Sequence, residues 1–492
     1  MKLRLKELTL GAGRPVAFIN EGSAKELNVH VGDRIEISHK DRKIIAIVDI
    51  VKKFIKKDEI SLSDEVIHYL NLKKGNIVDI SLSLESRSSA SIAKKLSGQA
   101  LSKNEILEIV KDIVNNSLTE AEIAYFVSGV YEHGMTLEET INLTEAMYKT
   151  GEVIKWGKKE IADKHSIGGI AGNRTTPIVV SICSSLGVIM PKTSSRAITS
   201  AAGTADVIET VANVDFSVSE LKKIVEKTGA CLAWGGSLGL APGDDKLIRI
   251  ERLLNLDPES QLIASIIAKK LAVGSKYVLI DIPYGKDAKV DKKRAIKLKK
   301  KFLLIGKHFG LIIKVVLTDG SQPIGNGIGP VLEMQDVIRV LKRKNSPRDL
   351  EEKSIYLAGE VLELTGKAKK GFGETLAREA LYSGKAFKKF NEIISAQGKK
   401  FIDFKPAKFK FEIKTKKNGK IRFINNKKIN FLGRLLGCPA DKSAGLYLHR
   451  HVSESVKKGE PIITLYAESN QKLKEAIRFY NKSNPVEQSK SP

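Results

Sequence analysis

The stretch that decides the fold is DKHSIGGIAGNRTTPIVVSICSSLG, residues 163–187. Its first residues are typical of a strand, and the apolar run after Pro177 is typical of a helix. Gly168, Gly169 and Gly172 lie between the two, where glycine lets the backbone approach a bound group closely. A helix N-terminus that follows such a turn presents free N–H groups to an anion. The pattern predicts a strand–turn–helix unit that binds phosphate within an α/β domain.

Three side chains of this stretch are candidates for anion binding. Lys164 would supply a point charge and Ser166 a hydroxyl, while backbone N–H groups would supply the remaining donors. His165 lies between them as a possible supporting residue. The alternative is a tight glycine turn in which His165 is packed and hydrogen-bonded, and spacing alone leaves that alternative open.

A second polar segment, PKTSSRAITSAAGTAD at 191–206, combines hydroxyls, one arginine and small residues. It is too polar for a core and too ordered in pattern for a linker, so it predicts another anion-facing loop. The alternative is a helix cap, for which Ser194 or Thr199 would suffice. Two such loops in one domain favour the functional interpretation.

A third segment, 253–290, contains polar residues whose roles the pattern leaves open. Asp257 stands before Pro and Glu, which is typical of an ordinary helix N-cap. Ser265 and Lys269 are spaced i,i+4 and so share one helix face, where a lysine is usually solvated. Lys289 follows a strand and a turn, and it could be either a ligand or a solvated turn lysine.

Along the chain, the patterns predict a multidomain α/β protein with four parts. Residues 1–84 show short alternating segments, which predict a β-rich N-terminal domain. Residues 85–157 predict a polar junction, SRSSASIAKK, followed by a helical domain of three helices that start at Ser or Thr with Glu three residues later; 243–274 should pack on it. Residues 158–399 predict the α/β domain that binds phosphate and nucleotide. Residues 400–492 predict a C-terminal α+β domain, with strands at FKFEIK, KIRFIN and KINFLG.

Composition narrows the class of protein. The chain has 492 residues, 42% of them hydrophobic, and its apolar runs are shorter than the roughly 20 residues of a membrane helix. The N-terminus does not resemble a signal peptide. Three widely spaced cysteines predict neither disulfides nor a zinc cluster. We therefore expect a cytoplasmic protein with no metal and no cofactor.

The formal net charge of +26 raises a non-catalytic nucleic-acid-binding protein as an alternative. The lysines are spread along the chain without interleaved aromatics, which make up only 6% of the residues. We interpret the charge as solvated faces that attract small phosphorylated substrates, with no nucleic-acid and no membrane partner.

Two patterns imitate other kinds of site. GNGIG at 325–329 is similar to a dinucleotide-binding loop, but the acidic residue after it has no clear strand context. His449 and His451 would share one face of a strand without companion ligands, so a metal site is not expected there.

The segment 163–177 resembles the DKHSTGG phosphate motif of the thymidine and pyrimidine-nucleoside phosphorylase superfamily. Further segments resemble its archaeal AMP phosphorylase branch in the same order: SLTEAEIAYFVSGVYEHGMTLEET, both Ser/Thr-rich loops, LAPGDDKL and GLYLHRHVSESVKKGEPIITLYA. The resemblance implies reversible phosphorolysis of a nucleoside 5′-monophosphate (AMP, or CMP and UMP) to free base and ribose 1,5-bisphosphate, with inorganic phosphate as co-substrate. The alternative is a thymidine or pyrimidine-nucleoside phosphorylase.

The resemblance also implies roles for individual residues. Asp257 would be the proton donor to the leaving base. The implied phosphate ligands are Lys164, Ser166, Thr176, Ser194 and Thr204. The implied nucleotide ligands are Gly169, Ser195, Arg196, Ala197, Ile198, Thr199, Ser200, Thr204, Ser265 and Lys289, with Arg196 and Lys289 as candidates for the 5′-phosphate. A homo-oligomer built from dimers is implied as well, and we assign residues 1–84 to assembly.

Two positions depart from the pattern of the family. The base-binding arginine of the pyrimidine phosphorylases corresponds here to Ile250 or Glu251 in IERLLNLD. A carboxylate at Asp257 suits protonation of a departing purine nitrogen better. Ala201 stands where a proline is expected, which should alter loop rigidity more than chemistry.

Overall fold

The computed structural model describes residues 1–8, 10–83, 88–157, 159–198, 200–400 and 404–489. The chain divides into two units, one of residues 1–150 with 242–265 and the other of 151–241 with 266–492. The four-part division made from the sequence is finer than this and stays a prediction.

The elements alternate between strands and helices over most of the chain. The strands are β1 (Lys2–Leu5), β2 (Val16–Asn20), β3 (Arg34–His39), β4 (Arg42–Val51), β5 (Glu59–Leu62), β6 (Ile77–Leu82), β7 (Ala162–Ser166), β8 (Met190–Ser194), β9 (Ala230–Trp234), β10 (Tyr277–Tyr284), β11 (Ile312–Asp319), β12 (Gly327–Ile328), β13 (Phe409–Lys414), β14 (Gly419–Ile424), β15 (Gly445–Leu448), β16 (Ser455–Val456), β17 (Pro461–Ala467) and β18 (Val486–Gln488). The helices are α1 (Glu21–Leu27), α2 (Asp64–Leu70), α3 (Ser89–Leu96), α4 (Lys103–Val114), α5 (Glu120–His133), α6 (Leu137–Lys149), α7 (Thr175–Ser185), α8 (Thr204–Ile208), α9 (Val218–Thr228), α10 (Pro242–Leu254), α11 (Glu259–Ala272), α12 (Lys292–His308), α13 (Pro330–Lys342), α14 (Arg348–Leu364), α15 (Gly373–Tyr382), α16 (Lys385–Ala396), α17 (Asn426–Leu436) and α18 (Asn470–Ser483). Among the described residues, none of these helices is both long and apolar enough to cross a membrane.

The first unit begins with a closed barrel of six strands. The strands pair in the order β1-β5-β2-β4-β3-β6, and β6 returns to pair with β1. Side chains that alternate along each strand point into the barrel, where residues such as Ile35 and Ile37 are fully buried. The short alternating segments predicted in this part of the chain include RIEISH, KIIAIVDIV and IVDISL, which lie in β3, β4 and β6.

Helices form the remainder of the first unit. Helices α4, α5 and α6 each start with a capping box, in which a Ser or Thr and a Glu three residues later satisfy each other's backbone N–H groups. Helix α10 packs against α4 and α5. The polar junction predicted at SRSSASIAKK is wrong for residues 89–95, which lie in α3. The Lys95 ammonium of α3 is buried, and its charge is balanced by Glu139, to whose Oε1 it donates at 2.9 Å. The local sequence does not show this pairing.

The second unit is built on parallel strands. Strands β11, β10 and β7 form one parallel sheet, β8 and β9 another, and a bridge between Ile161 and Ile189 joins the two. Helices α7, α14 and α16 pack together against this core, as expected for the α/β pattern of the sequence. The multidomain α/β class predicted from the sequence is confirmed.

The C-terminal part of the second unit is an α+β arrangement. Strands β12-β15-β17-β13 form one sheet and β16-β14-β18 another. The strand predicted at KINFLG is wrong, because these residues lie in α17. Asn425 caps that helix by accepting a hydrogen bond from Lys428 N at 2.9 Å, and Ile429, Leu432 and Leu436 form its buried stripe.

Candidate active site

The turn between β7 and α7, residues 167–174, is the candidate phosphate site, and we refer to it as the glycine turn. The strand, turn and helix lie where the sequence predicts them. Gly169 and Gly172 have φ of 91° and 69°, values that other residues rarely adopt. A Cβ on Gly169 would lie 2.8 Å from Lys289 N, and one on Gly172 would lie 2.2 Å from the Ile324 carbonyl oxygen. Glycine is therefore required at both positions, and the turn packs closely on the segment that contains Lys289.

Lys164 lies on β7 with only 1% of its surface exposed. Its Nζ donates to Thr175 Oγ1 at 2.8 Å, at the first residue of α7. Burial lowers the pKa of Lys164 to about 7; nearby Asp281 opposes this shift, whereas Lys353 and other cations add to it. A buried lysine of this kind gains its full charge readily when an anion binds beside it.

Ser166 and Asp281 share one face of the sheet with Lys164, because Ser166 is the register partner of Asp281 in the parallel pair β7–β10. The carboxylate of Asp281 accepts from Thr318 Oγ1 at 2.6 Å and lies 3.4 Å from Lys353 Nζ. Ser166 Oγ is buried and has no hydrogen-bond partner among the described residues. An unsatisfied buried hydroxyl costs about 1–3 kcal/mol, so a ligand oxygen bound to Ser166 would recover that free energy.

Asp163 and His165 lie on the opposite face of β7. The buried Asp163 carboxylate lies 3.1 Å from Lys192 Nζ and 2.8 Å from Lys270 Nζ. Burial raises the pKa of Asp163, but the two lysines outweigh it and the pKa falls below its usual value. Burial and then the surrounding lysines lower the pKa of His165 well below its ordinary value. The imidazole is therefore neutral at pH 7, where it can donate or accept a hydrogen bond but adds no charge.

Replacing Asp163 with asparagine should lower the free energy of unfolding by about 3–5 kcal/mol, because two buried lysines lose their counter-charge. Urea unfolding of the full chain measures this. The matched control is Glu352→Gln, which breaks a half-exposed pair with Arg378 and should cost less than about 1 kcal/mol. Equal losses in the two variants would contradict a stabilising role for Asp163.

The second polar segment forms β8, a loop at residues 195–198 and 200–203, and α8; we refer to the described part of this loop as the second loop. Ser194 is the last residue of β8, and its hydroxyl donates to Ala233 O at 3.3 Å. In the loop, Ser200 Oγ donates to Ala202 O at 2.9 Å, and Thr199 lies outside the described residues. The capping position of α8 is Gly203, so the alternative in which Ser194 caps a helix is wrong.

Arg196 is held by carboxylates. Its two terminal nitrogens each donate to a Glu209 oxygen at 2.8 Å, and they lie 3.3 Å from Asp206 and 3.5 Å from Asp215. The guanidinium also stacks over the Trp234 ring, 4.8 Å from its centre. Hydrogen bonding from Arg196 is the main reason that the pKa of Glu209 falls to about 2. Arg196 stays a predicted ligand of the 5′-phosphate, and its two terminal nitrogens are already paired with Glu209 in this structure.

Arg174 is a functional candidate that the sequence reasoning missed, although it lies within the quoted motif. Its Nε donates to Glu333 Oε2 at 2.7 Å, while its terminal nitrogens donate to Thr204 Oγ1 at 2.6 Å and to Ala202 O at 2.9 Å. Burial raises the pKa of Glu333 to about 7. Arg174 thus ties the end of the glycine turn to the end of the second loop, and it leaves the Thr204 hydroxyl free to act as a donor.

The remaining candidates lie at several places in the fold. Thr176 is buried in the first turn of α7. Asp257 is exposed and Ser265 is buried, both in the first unit. At the start of α11, Leu262 N donates to Pro258 O at 3.0 Å, and a capping role for Asp257 stays a prediction. Within the second unit, the structure brings Lys164, Ser166, Gly169, Thr176 and Lys289 to the glycine turn.

Lys270 is a second residue that was missed, because the i,i+4 spacing from Ser265 drew attention to Lys269. Lys270 is buried against Asp163, whereas the positive charge of Lys269 contributes to the low pKa of His165. A signal was present in the sequence: Lys270 follows Ile266 and Ile267 at i+4 and i+3, on the apolar stripe of the helix. A lysine on such a stripe predicts a buried ion pair.

The structure shows what the GNGIG segment and the two histidines, His449 and His451, contact. In GNGIG, the N–H groups of Asn326 and Gly327 both donate to Asp336 Oδ2 at 2.7 Å, so this loop already binds a carboxylate of its own chain. The His449 ring contacts Thr464 Oγ1 at 2.7 Å, and the His451 ring contacts Asn326 Oδ1 at 2.9 Å. The two histidines therefore contact different neighbours.

The affinity of the glycine turn for a dianion should fall as the pH rises above about 7, because Lys164 has a lowered pKa of about 7 before the anion binds. Below that pH the lysine is already charged; above it, binding must take up a proton, and affinity falls by up to about tenfold per pH unit. Calorimetric titration with sulfate measures this, since sulfate stays a dianion throughout. A Lys164→Met variant should show no such slope, and a flat profile for the unmodified protein would contradict the assignment.

Comparisons with known proteins cover almost the whole chain. The helical bundle domain of a glycosyl transferase family matches residues 89–151, and its a/b domain matches residues 158–387. The pyrimidine nucleoside phosphorylase C-terminal domain matches residues 420–487. The crystal structure of anthranilate phosphoribosyltransferase from Thermus thermophilus superposes with a TM-score of 0.52, covering 62% of this chain and 99% of that one. At 16% identity this shows a shared fold only.

Curated relatives are similar over nearly full length. AMP phosphorylase of Pyrococcus horikoshii is 46% identical over 491 residues, and that of Thermococcus kodakarensis is 42% identical over 492 residues; each alignment covers 99% of this chain and 97% of the relative. A putative thymidine phosphorylase of Legionella pneumophila is 41% identical and covers 90% of this chain and 86% of the relative.

A glycosyltransferase α/β domain with a helical bundle before it and a phosphorylase C-terminal domain after it defines a pentosyltransferase of the phosphorylase type. The chain belongs to the AMP phosphorylase family. The resemblance seen in the sequence is therefore confirmed.

Proposed function

We propose that this protein catalyses the reversible phosphorolysis of AMP, and of CMP and UMP, to free base and ribose 1,5-bisphosphate. The observation that carries the proposal is the glycine turn, where buried Lys164 and the unsatisfied hydroxyl of Ser166 lie beside the N-terminus of α7. Relatives named AMP phosphorylase, 40–46% identical over almost the full chain, support the choice of substrate. Phosphate is itself the nucleophile, so the reaction requires no cofactor.

In the proposed reaction, an oxygen of inorganic phosphate forms a bond to C1′ of the nucleotide while the bond from C1′ to the base breaks. The sugar passes through an oxocarbenium-like state, and the electron pair of the broken bond leaves with the base. Asp257 would donate the proton that the departing base needs, which is general acid catalysis. Lys164, Ser166 and the N–H groups at the start of α7 would orient the phosphate and offset its charge.

We assign the 5′-phosphate to Lys289 and to backbone and hydroxyl groups of the second loop. Lys289 suits this role because its backbone packs against Gly169 in the glycine turn. Arg196 would also act indirectly, since its pairing with Glu209 and Asp206 fixes the shape of the second loop. Ser265 stays a predicted ligand on the basis of resemblance.

Base release from three compounds tests the proposal. AMP, adenosine and thymidine are each incubated with the protein in phosphate buffer and in phosphate-free buffer, and free base is quantified. We expect phosphate-dependent release from AMP and about a hundredfold less from the two nucleosides. Faster release from thymidine would support the thymidine phosphorylase alternative, for which the Legionella pneumophila relative is the supporting observation. RNA binding that weakens with salt, without any base release, would support a nucleic-acid-binding protein.

We also propose that the protein is a cytoplasmic homo-oligomer built from dimers, in which residues 1–84 serve assembly. The barrel supports this role, since none of the residues proposed for the reaction lies in it. The particle size of the full chain is compared with that of a chain lacking residues 1–84, and we expect a smaller assembly. An unchanged number of subunits would contradict a role in assembly.

A further inference from the structure

Helix α17 contacts both loops of the site through two asparagines spaced i,i+4. Asn426 Oδ1 accepts a hydrogen bond from Ala171 N at 3.0 Å in the glycine turn, and its Nδ2 donates to Gly320 O at 3.2 Å. Asn430 Oδ1 accepts a hydrogen bond from Ala201 N at 3.2 Å in the second loop. One face of a helix from the C-terminal part of the chain therefore holds one backbone N–H of each loop.

Both asparagines are buried, so each of them needs its hydrogen-bond partner in the loop. Asn426 is 0% exposed and Asn430 is 6% exposed, and a buried amide is costly unless it is hydrogen-bonded. Ala171 and Ala201 are buried in the same apolar cluster as α17. A Cβ on Gly433, three residues after Asn430, would lie 2.7 Å from Ala201 Cβ. The helix is therefore packed directly onto the two loops.

The residue that precedes α17 adds a third contact. Asn425 Nδ2 donates to Asp287 Oδ2 at 3.0 Å, and Asp287 lies in the turn that contains Lys289. The start of α17 is thus hydrogen-bonded to the turn of Lys289 and to the glycine turn. One helical turn later, α17 is hydrogen-bonded to the second loop.

We propose that Asn426 and Asn430 are positioning residues: Asn426 sets the glycine turn for phosphate and Asn430 sets the second loop for the nucleotide. The assignment of substrates to the loops rests on the proposed function. Ala201 takes part in the same interaction, because a proline at that position would have no N–H to donate to Asn430. The hydrogen bond to Asn430 therefore gives a reason for alanine at this position, in addition to its expected effect on loop rigidity.

The kinetic test separates the two asparagines. Asn426→Ala should raise KM for phosphate about tenfold and change KM for AMP less than twofold, because it removes the buried hydrogen bonds with Ala171 N and Gly320 O. Asn430→Ala should do the reverse, because it removes the hydrogen bond from Ala201 N. Asn430→Asp keeps an acceptor oxygen in place and should restore KM for AMP. The control is Asn391→Ala in α16, whose amide bonds only within its own helix in the described contacts, and it should change neither KM. Equal changes in both KM values for each variant would overturn the proposal.

A double-variant comparison tests the pairing of Asn430 with Ala201. Ala201→Pro alone should raise KM for AMP about as much as Asn430→Ala, because each removes the same hydrogen bond. The double variant should then show no further rise, since the two changes act on one interaction. Multiplied effects would contradict the pairing.

Hydrogen exchange of the ligand-free protein provides a test that needs no turnover. Asn430→Ala should speed exchange in the second loop and leave the glycine turn unchanged, and Asn426→Ala should do the opposite. Failure of the unmodified protein to release base from AMP would reject the proposed function without affecting this result. Unchanged exchange in both loops, or equal change in both, would overturn the positioning roles.

Discussion

Replacing Lys164 with methionine should reduce kcat/KM for phosphate about a thousandfold. Methionine preserves the length and the apolar stem of the side chain but removes the buried charge beside the first residue of α7. Loss of one preorganised group that stabilises developing charge typically costs about 10²–10³ in rate, and here binding of the attacking dianion weakens as well. Initial rates at varied phosphate with saturating AMP measure the effect.

The control for this variant is Lys246→Met in the first unit. Lys246 is also largely buried, and burial lowers its pKa to about 8. It caps the end of α4 by donating to Ile113 O at 2.8 Å and to Val114 O at 2.7 Å. Its loss should reduce stability and leave KM for phosphate unchanged. A loss below about tenfold in Lys164→Met would show that other groups hold the phosphate.

Replacing Asp257 with asparagine should reduce turnover by about 10²–10⁴-fold while largely sparing AMP binding, because asparagine keeps the shape of the side chain but has no proton to give to the leaving base. Asp257 is exposed, so the free energy of unfolding should change little. Single-turnover base release and calorimetric binding of AMP together separate chemistry from affinity.

The control for Asp257→Asn is Glu259→Gln, two residues later at the start of α11. This variant removes a carboxylate from the same segment and should leave turnover close to that of the unmodified protein. Near-normal turnover in Asp257→Asn would remove Asp257 as the acid.

The parts of the fold that the sequence predicted are those with local causes. The glycine turn follows from glycines spaced between a strand and a helix, and the capping boxes of α4, α5 and α6 join residues only three positions apart. Helix α3 and the helix at KINFLG were missed, because their buried faces are completed by distant segments. Lys95 of α3, for example, is neutralised by Glu139, 44 residues away.

In the candidate site, too, the residues within a motif could be predicted, whereas contacts between distant residues could not. Lys164 and Ser166 could be found because they lie in the motif itself. The pairing of Arg196 with Glu209 could not be predicted, because the two residues are 13 positions apart and meet only after α8 has formed. Asp281 and Lys353 act on the charge of Lys164 from another strand and another helix, and no spacing within a motif could indicate that. Lys269 and Lys270 are neighbours on α11 and point in different directions around the helix axis, so the i,i+4 spacing from Ser265 selected Lys269 although Lys270 is the lysine that pairs with Asp163.

The closure of the N-terminal barrel has a consequence for any copy of this chain that associates through it. Each of its six strands already has two hydrogen-bonded neighbours, so no whole strand stands at an open edge that another chain could extend. Such an association would depend on side chains at the surface, including the exposed Phe54 and Tyr69. The same closure reduces the strand edge that could template amyloid-like stacking, which favours solubility of this region at high concentration.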